Sequence, residues 1–204
     1  MNNTETLKLE NINVIFKEKV IFQNLSFEFI RNNTYIINGK NGVGKTTLLN
    51  VISNYIQYEG KVVKDPKWTL DYLFQDDMLF SNITVRENLL LKYLTRNYSL
   101  DDFKNISVNA LSTFGVANLI DQKVEMLSGG ERQRVKLSQM LLLNSDIIIL
   151  DEPLSKIDKV EVENICKTIS KVFSKCFLII VSHDNWYGNF IKLKLIDKKL
   201  KQVN

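Results

Sequence analysis

Gly39-Lys40-Asn41-Gly42-Val43-Gly44-Lys45-Thr46 fills every fixed position of G-x-x-x-x-G-K-[ST], and its flanks make it a structural statement as well as a motif. Before it, Thr34-Tyr35-Ile36-Ile37 is a short apolar, β-favouring run that reads as a strand feeding the loop. After it, Thr47-Leu48-Leu49-Asn50-Val51-Ile52 reads as a helix that begins near Lys45. Gly39, Gly42 and Gly44 let the backbone curl, so that successive N–H groups point inward at phosphate oxygens. The helix N-terminus adds its own partial positive charge. In a loop of this type the lysine (Lys45) reaches the β and γ phosphates, and the hydroxyl of Thr46 ligates Mg²⁺. A glycine-rich turn before a surface lysine would give the same letters, so the companions decide.

The first companion is Ile147-Ile148-Ile149-Leu150, four aliphatic residues that suit a central strand of a parallel sheet buried on both faces. Asp151 and Glu152 follow at its carboxyl end, where open α/β sheets place their ligands. A metal needs a hard oxygen ligand and a nucleophilic water needs an adjacent acceptor, and this pair offers both. The second companion is Leu127-Ser128-Gly129-Gly130-Glu131-Arg132-Gln133. Ser128 and Glu131 have the spacing of a capping box, and two glycines at a capped helix start make a second anion site.

In this order and spacing the three elements resemble the ATP-binding cassette (ABC) ATPases, and the resemblance runs from about Leu7 to His183. It implies an α/β fold: a P-loop core with a mostly parallel sheet, an N-terminal antiparallel β-subdomain and a helical lobe carrying the signature. It implies an ATPase with ATP and Mg²⁺ as cofactors. The phosphate loop, Gly39 to Thr46 with Thr47, would bind nucleotide. Thr46, Gln75 and Asp151 would serve the metal, and Glu152 would be the general base. His183, the chain's only histidine, stands after Phe177-Leu178-Ile179-Ile180-Val181-Ser182, at the place of the family's γ-phosphate switch. Gln75 follows Tyr72-Leu73-Phe74 and resembles the glutamine that senses Mg²⁺ and the attacking water, so the implied catalytic set is Lys45, Gln75, Glu152 and His183. Phe16 matches the aromatic that stacks on adenine, where tyrosine is commoner; a half-buried strand aromatic is its other reading.

The family also explains a surplus. One chain already has a complete phosphate cradle, so Ser128, Gly129, Gly130 and Glu131 would complete the site of an opposite subunit, with Asp158 crossing the same interface. The expectation is a homodimer, or a heterodimer with a related cassette. Lys156 departs from the small or uncharged residue usual beside Asp158, which bears on communication between two such sites. The segment Asp76 to Asn82 would form the groove for a membrane partner's coupling helix, and Thr84-Val85-Arg86-Glu87 makes a capping box for the next helix.

Length and composition fit this frame. The 204 residues make one domain, expected as a core at 1–75 and 144–204 with a helical lobe at 76–143. Residues 7–37 read as short alternating strands, with Leu25, Phe27 and Phe29 on one face. Lys192 to Lys201 alternates apolar and charged residues as a solvated strand or hairpin. No apolar run approaches the roughly 20 residues that cross a bilayer, and Met1 to Glu10 is polar without the pattern of a signal sequence. Cys166 and Cys176 show no metal-ligand spacing, which suits a reduced cytoplasmic setting. A net charge of +4 with both signs interspersed carries no basic block, so direct nucleic-acid binding is not expected.

The expected role is therefore the ATP-hydrolysing subunit that powers a separate membrane-spanning transporter subunit, peripheral at the cytoplasmic face of the membrane. The rival is a soluble cassette ATPase acting on ribosomes or nucleic acid without a membrane partner. Against it, translation factors of the family usually carry two cassettes per chain, and DNA-repair members interrupt theirs with long insertions. Import and export both fit this sequence, and it holds nothing that names the cargo.

Overall fold

The computed structural model describes residues 5–76, 78–96 and 98–203. In chain order the elements are β1 (Thr6–Phe16), β2 (Lys19–Ile30), β3 (Thr34–Asn38), α1 (Lys45–Ile52), β4 (Glu59–Val63), β5 (Leu70–Leu73), α2 (Val85–Tyr93) and α3 (Leu100–Thr113). After two short 3-10 turns come α4 (Gly129–Gln139), β6 (Ile147–Asp151), α5 (Val162–Val172), β7 (Phe177–Val181), β8 (Ile191–Ile196) and β9 (Lys199–Gln202).

The strands form two sheets. A smaller antiparallel sheet has the order β2-β1-β4. Strands β1 and β2 turn through Lys17 and Glu18, both at positive φ, which matches the right-handed twist of a two-residue hairpin. Asn11, also at positive φ, sits at a register shift between Leu9 and Ile12, so Leu7, Leu9, Ile12 and Val14 all reach the buried face. On β2, Leu25 and Phe29 are buried with Phe27 partly so, while Ser26 and Glu28 face out, as the alternation predicts.

The larger sheet has the order β5-β6-β7-β3-β8-β9, parallel except for β9. Its strands are sandwiched between two cores. Ile148 and Leu150 of β6 join a cluster with α2, α3, α4 and α5, whereas Ile147 and Ile149 join one built from α1 and the antiparallel sheet. All four side chains are fully buried, which is why β6 needs an unbroken aliphatic run instead of an alternating one. The chain end differs from a purely solvated hairpin: β8 pairs with β3, and Leu193, Leu195 and Leu200 enter the core while the lysines between them face water. Periodicity alone shows one apolar face there without showing what covers it.

Capping chemistry sets the helix starts that matter here. Thr84 accepts a hydrogen bond from the Glu87 N–H, and the Glu87 carboxylate accepts one from the Thr84 N–H at 2.7 Å. Ser128 and Glu131 form the same box, with the Ser128 N–H donating to Glu131 Oε2 at 2.9 Å. Each reciprocal pair satisfies two orphan donors of a helix N-terminus and contributes about 1 kcal/mol. No helix among the described residues is long and apolar enough to cross a membrane.

Candidate nucleotide site

Four neighbouring strands of the large sheet end side by side, and each ends in one of the predicted groups. Gln75 follows β5, Asp151 and Glu152 close β6, His183 follows β7, and the loop from Gly39 to Gly44 follows β3. Parallel pairing points these ends the same way, so residues far apart in sequence converge at the carboxyl edge. Between them lies a cavity of about 520 Å³. Asn41, Gly42, Gly44, Lys45, Thr46, Thr47, Gln75, Asp151, Glu152 and His183 line it, and Ile21, Ser155 and Val181 complete the wall.

The loop's curl rests on Gly42 and Gly44, at φ 74° and 109°. A Cβ on Gly44 would stand 2.8 Å from the Ile21 side chain and 3.2 Å from the Phe22 ring, so close approach of the antiparallel sheet also requires glycine there. Lys45 is 8% exposed, and its Nζ donates to the carbonyls of Gly39 at 2.8 Å and Lys40 at 3.2 Å. The Thr46 hydroxyl donates to Asp151 Oδ2 at 3.0 Å. Burial pushes the Asp151 carboxyl above its ordinary value, against the pull of the Thr46 hydroxyl and the Lys45 charge.

Glu152 sits at φ 51°, a left-handed conformation that costs a non-glycine residue about 1–2 kcal/mol. It is held there by its N–H donating to Val181 O at 2.9 Å. Its carboxylate accepts from the His183 N–H at 3.3 Å and lies 3.4 Å from His183 Nε2. That conformation brings a largely buried carboxylate to the cavity wall beside a half-exposed imidazole. Burial, with Asp151 close by, also raises the Glu152 carboxyl, although the His183 N–H pulls it down.

Other predicted positions lie elsewhere. Gly39, Lys40 and Val43 shape the loop but are absent from the cavity wall. Phe16 stands at the hairpin end, 64% exposed with the Lys17 ammonium 5.7 Å from its ring, and does not line the cavity. Ser128, Gly129, Gly130, Glu131 and Asp158 are also outside the wall. The glycines of that group face the segment after β6: a Cβ on Gly130 would stand 3.1 Å from the Lys156 carbonyl, and the stem of Lys156 lies over Gly129. Of the groove segment Asp76 to Asn82, Asp77 lies outside the described residues.

Sequence reading quoted Gln133 only as the end of the signature stretch, without a role, and missed Lys136. Both are buried, and Gln133 Nε2 donates to Pro153 O at 2.8 Å while Lys136 Nζ donates to the carbonyls beside Gln75. The available signal was their interval of three on one helix, but polar residues at such spacing ordinarily face water.

The donor set suits Mg²⁺. Among the described residues no cluster of three or more His, Cys, Asp or Glu side chains could cage a metal. A hydroxyl and a carboxylate 3.0 Å apart beside a phosphate cradle are what Mg²⁺ uses when phosphates complete its shell.

The sequence and the fold are similar to those of known proteins. Residues 22–155 match the family model of the ABC transporter. The zinc import ATP-binding protein ZnuC of Buchnera aphidicola is 32% identical, over 93% of this chain and 78% of that protein. The cytochrome c biogenesis ATP-binding export protein CcmA of Reclinomonas americana is 31% identical, over 89% of this chain and 86% of its own. A solved Pyrococcus furiosus structure, assigned as an ABC transporter ATP-binding protein, superposes with a TM-score of 0.83 at 26% identity, covering 93% of this chain and 97% of that one. A family match across residues 22–155 and relatives above 30% identity over most of both chains show that the chain belongs to the ABC transporter family, as an ATP-binding, ATP-hydrolysing subunit.

Proposed function

We propose that two cassettes close head to tail over two ATP molecules, each bound to one subunit's phosphate loop and the other's signature, and that this cycle drives a separate membrane-spanning subunit. The observation that carries the reading is a division of the motifs. Four strand ends gather the phosphate loop, Gln75, Asp151, Glu152 and His183 around one cavity, while Ser128-Gly129-Gly130-Glu131 caps a helix outside it. A second anion site, surplus in a chain that already has one phosphate cradle, is accounted for by a facing subunit. The partner is a second copy or a related cassette.

In this reading the backbone N–H groups of Asn41 to Thr47 hold the phosphates, and Lys45 exchanges its carbonyl partners for β and γ oxygens. Thr46 and Asp151 would hold Mg²⁺, which would supply positive charge beside the phosphate oxygens. Glu152 accepts a proton from the attacking water, whose oxygen bonds the γ phosphorus as the bond to the β–γ bridging oxygen breaks. ADP departs with that electron pair. His183 contacts the γ phosphate, and Gln75 orients the water and the metal. Phe16 offers its ring to adenine from the hairpin tip, and Asp158 faces the neighbouring subunit.

Residues 1–75 and 144–204 act as the catalytic core, and residues 76–143 as the lobe that meets the membrane subunit. Between them a groove is lined by Phe74, Met78, Phe80, Leu91 and Met140, with Met78 and Phe80 about 60% exposed. An apolar groove beside Gln75 suits a helix from the membrane partner, which supports a peripheral position at the cytoplasmic face of the membrane. Relatives of both importing and exporting systems fit the same cassette, so direction is set by the partner.

Glu152→Gln tests the core of this reading. General-base loss lowers kcat by about 100-fold or more, and the variant should elute as a dimer in Mg²⁺-ATP because the closed state cannot discharge. Hydrolysis at the wild-type rate removes Glu152 from its role. A monomer in saturating ATP removes the sandwich.

A further inference from the structure

The buried polar side chains of helix α4 include three long ones: Gln133 at 3% exposure, Lys136 at 2% and Gln139 at 8%. Their spacing of three puts them along one side of the helix, and each donates to a carbonyl in a different segment. Gln133 holds Pro153 O, next to Glu152, at 2.8 Å. Gln139 holds Asn88 O of α2 at 3.2 Å. Lys136 Nζ holds two carbonyls, Phe74 O at 3.3 Å and Asp76 O at 3.0 Å.

Taking an ammonium out of water is costly unless hydrogen bonds replace those it gave up. Methionine at this position would fill similar space without that cost. The lysine therefore needs a reason beyond packing, and the reason lies in what it straddles. Phe74 and Asp76 are the two neighbours of Gln75, which lines the nucleotide cavity. With both flanking carbonyls tied to one ammonium, the Gln75 backbone is fixed relative to α4, and α4 begins at Gly129 of the signature.

We propose that Lys136 is a positioning residue for ATP hydrolysis: it sets Gln75 at the cavity and ties that setting to the helix that carries Ser128-Gly129-Gly130. A shift of the signature as a facing subunit closes is then carried along α4 to Gln75 by a two-armed connection. Gln133 extends the same helix to the segment after Glu152. The inference rests on the role given above to Gln75.

The test compares Lys136→Met, Lys136→Arg, Gln75→Ala and the Lys136→Met/Gln75→Ala double variant. ATPase rates are measured against Mg²⁺ concentration, and the Kd of N-methylanthraniloyl-ATP is measured in EDTA. Lys136→Met should lose about tenfold in kcat, need more Mg²⁺ for half-maximal rate, and keep its Kd in EDTA. Lys136→Arg, which retains donors, should recover most of the rate. The double variant should be no slower than Gln75→Ala, since both act through one group. Independent, multiplying losses overturn the proposal, as does an equal loss of rate and Mg²⁺-free affinity. A wild-type rate in Gln75→Ala sinks the Gln75 role itself, a separate failure. If Lys136→Met does not melt cooperatively, Lys136→Gln, polar but too short to span both carbonyls, is put through the same series with the same two readings.

Discussion

Replacing Gly44 with alanine tests whether the phosphate loop is held by its own backbone or by the sheet pressed against it. Two costs can be worked out. At φ 109° and ψ 17° an alanine is outside its allowed regions, which costs about 1–3 kcal/mol. Its Cβ would also stand 2.8 Å from Ile21 Cγ2 and 3.2 Å from two atoms of the Phe22 ring. Ile21 is partly buried at the cavity wall and can turn aside, but Phe22 is 0% exposed within the core. Pushing it adds about 1–2 kcal/mol of overpacking. The total is about 3 kcal/mol, or a melting temperature lower by about 6–12 °C for a chain of this size. Gly42 is the control, because at φ 74° a Cβ would meet nothing within 4 Å. Gly42→Ala should cost about 1 kcal/mol, from the backbone alone. Urea unfolding with unchanged m-values, run beside thermal melts, measures both. Equal losses in the two variants would refute the claim that contact with Ile21 and Phe22 sets the difference.

Two further predictions concern stability and nucleotide affinity. Burial alone would raise the Asp146 carboxyl, but hydrogen bonds from Thr69 and from Arg31, at 2.8 Å, outweigh it and leave it below its ordinary value. Its contribution is therefore present above the unfolded carboxylate range and is lost as pH falls through the lowered value. Asp146→Asn should be less stable than wild type at neutral pH, with the gap closing in acid; a pH-independent gap in urea unfolding would contradict this. Phe16→Ala should leave stability within about 0.5 kcal/mol because the ring is exposed. It should weaken ATP binding by about 2- to 12-fold if the ring stacks on adenine, and an unchanged Kd by titration would return Phe16 to a surface residue.

The cavity was legible because its groups have local signatures: glycines at fixed intervals, an aliphatic run ending in carboxylates, a histidine after another such run. Parallel strand pairing then does the assembling, and β-favouring runs separated by helices announce that pairing. Ser128 and Thr84 were legible for the same reason, since a capping box is complete within four residues. Lys136 and Gln133 were not. Their partners, Asp76 and Pro153, are distant in sequence, and a carbonyl acceptor leaves no residue type to recognise. The end of β8 was half legible: its alternation is plain, but the pairing with β3 that buries Leu193 is a tertiary fact.

The Lys45 ammonium bound to Gly39 O and Lys40 O has a kinetic consequence. With the ammonium tied to its own loop, the curl from Gly39 to Gly44 is braced by a side chain as well as by its glycines. The ordering cost is borne when the protein folds and does not recur with each turnover. Nucleotide arrives at a finished receptacle, and differences among nucleotides should emerge in how long each one stays more than in how fast it enters.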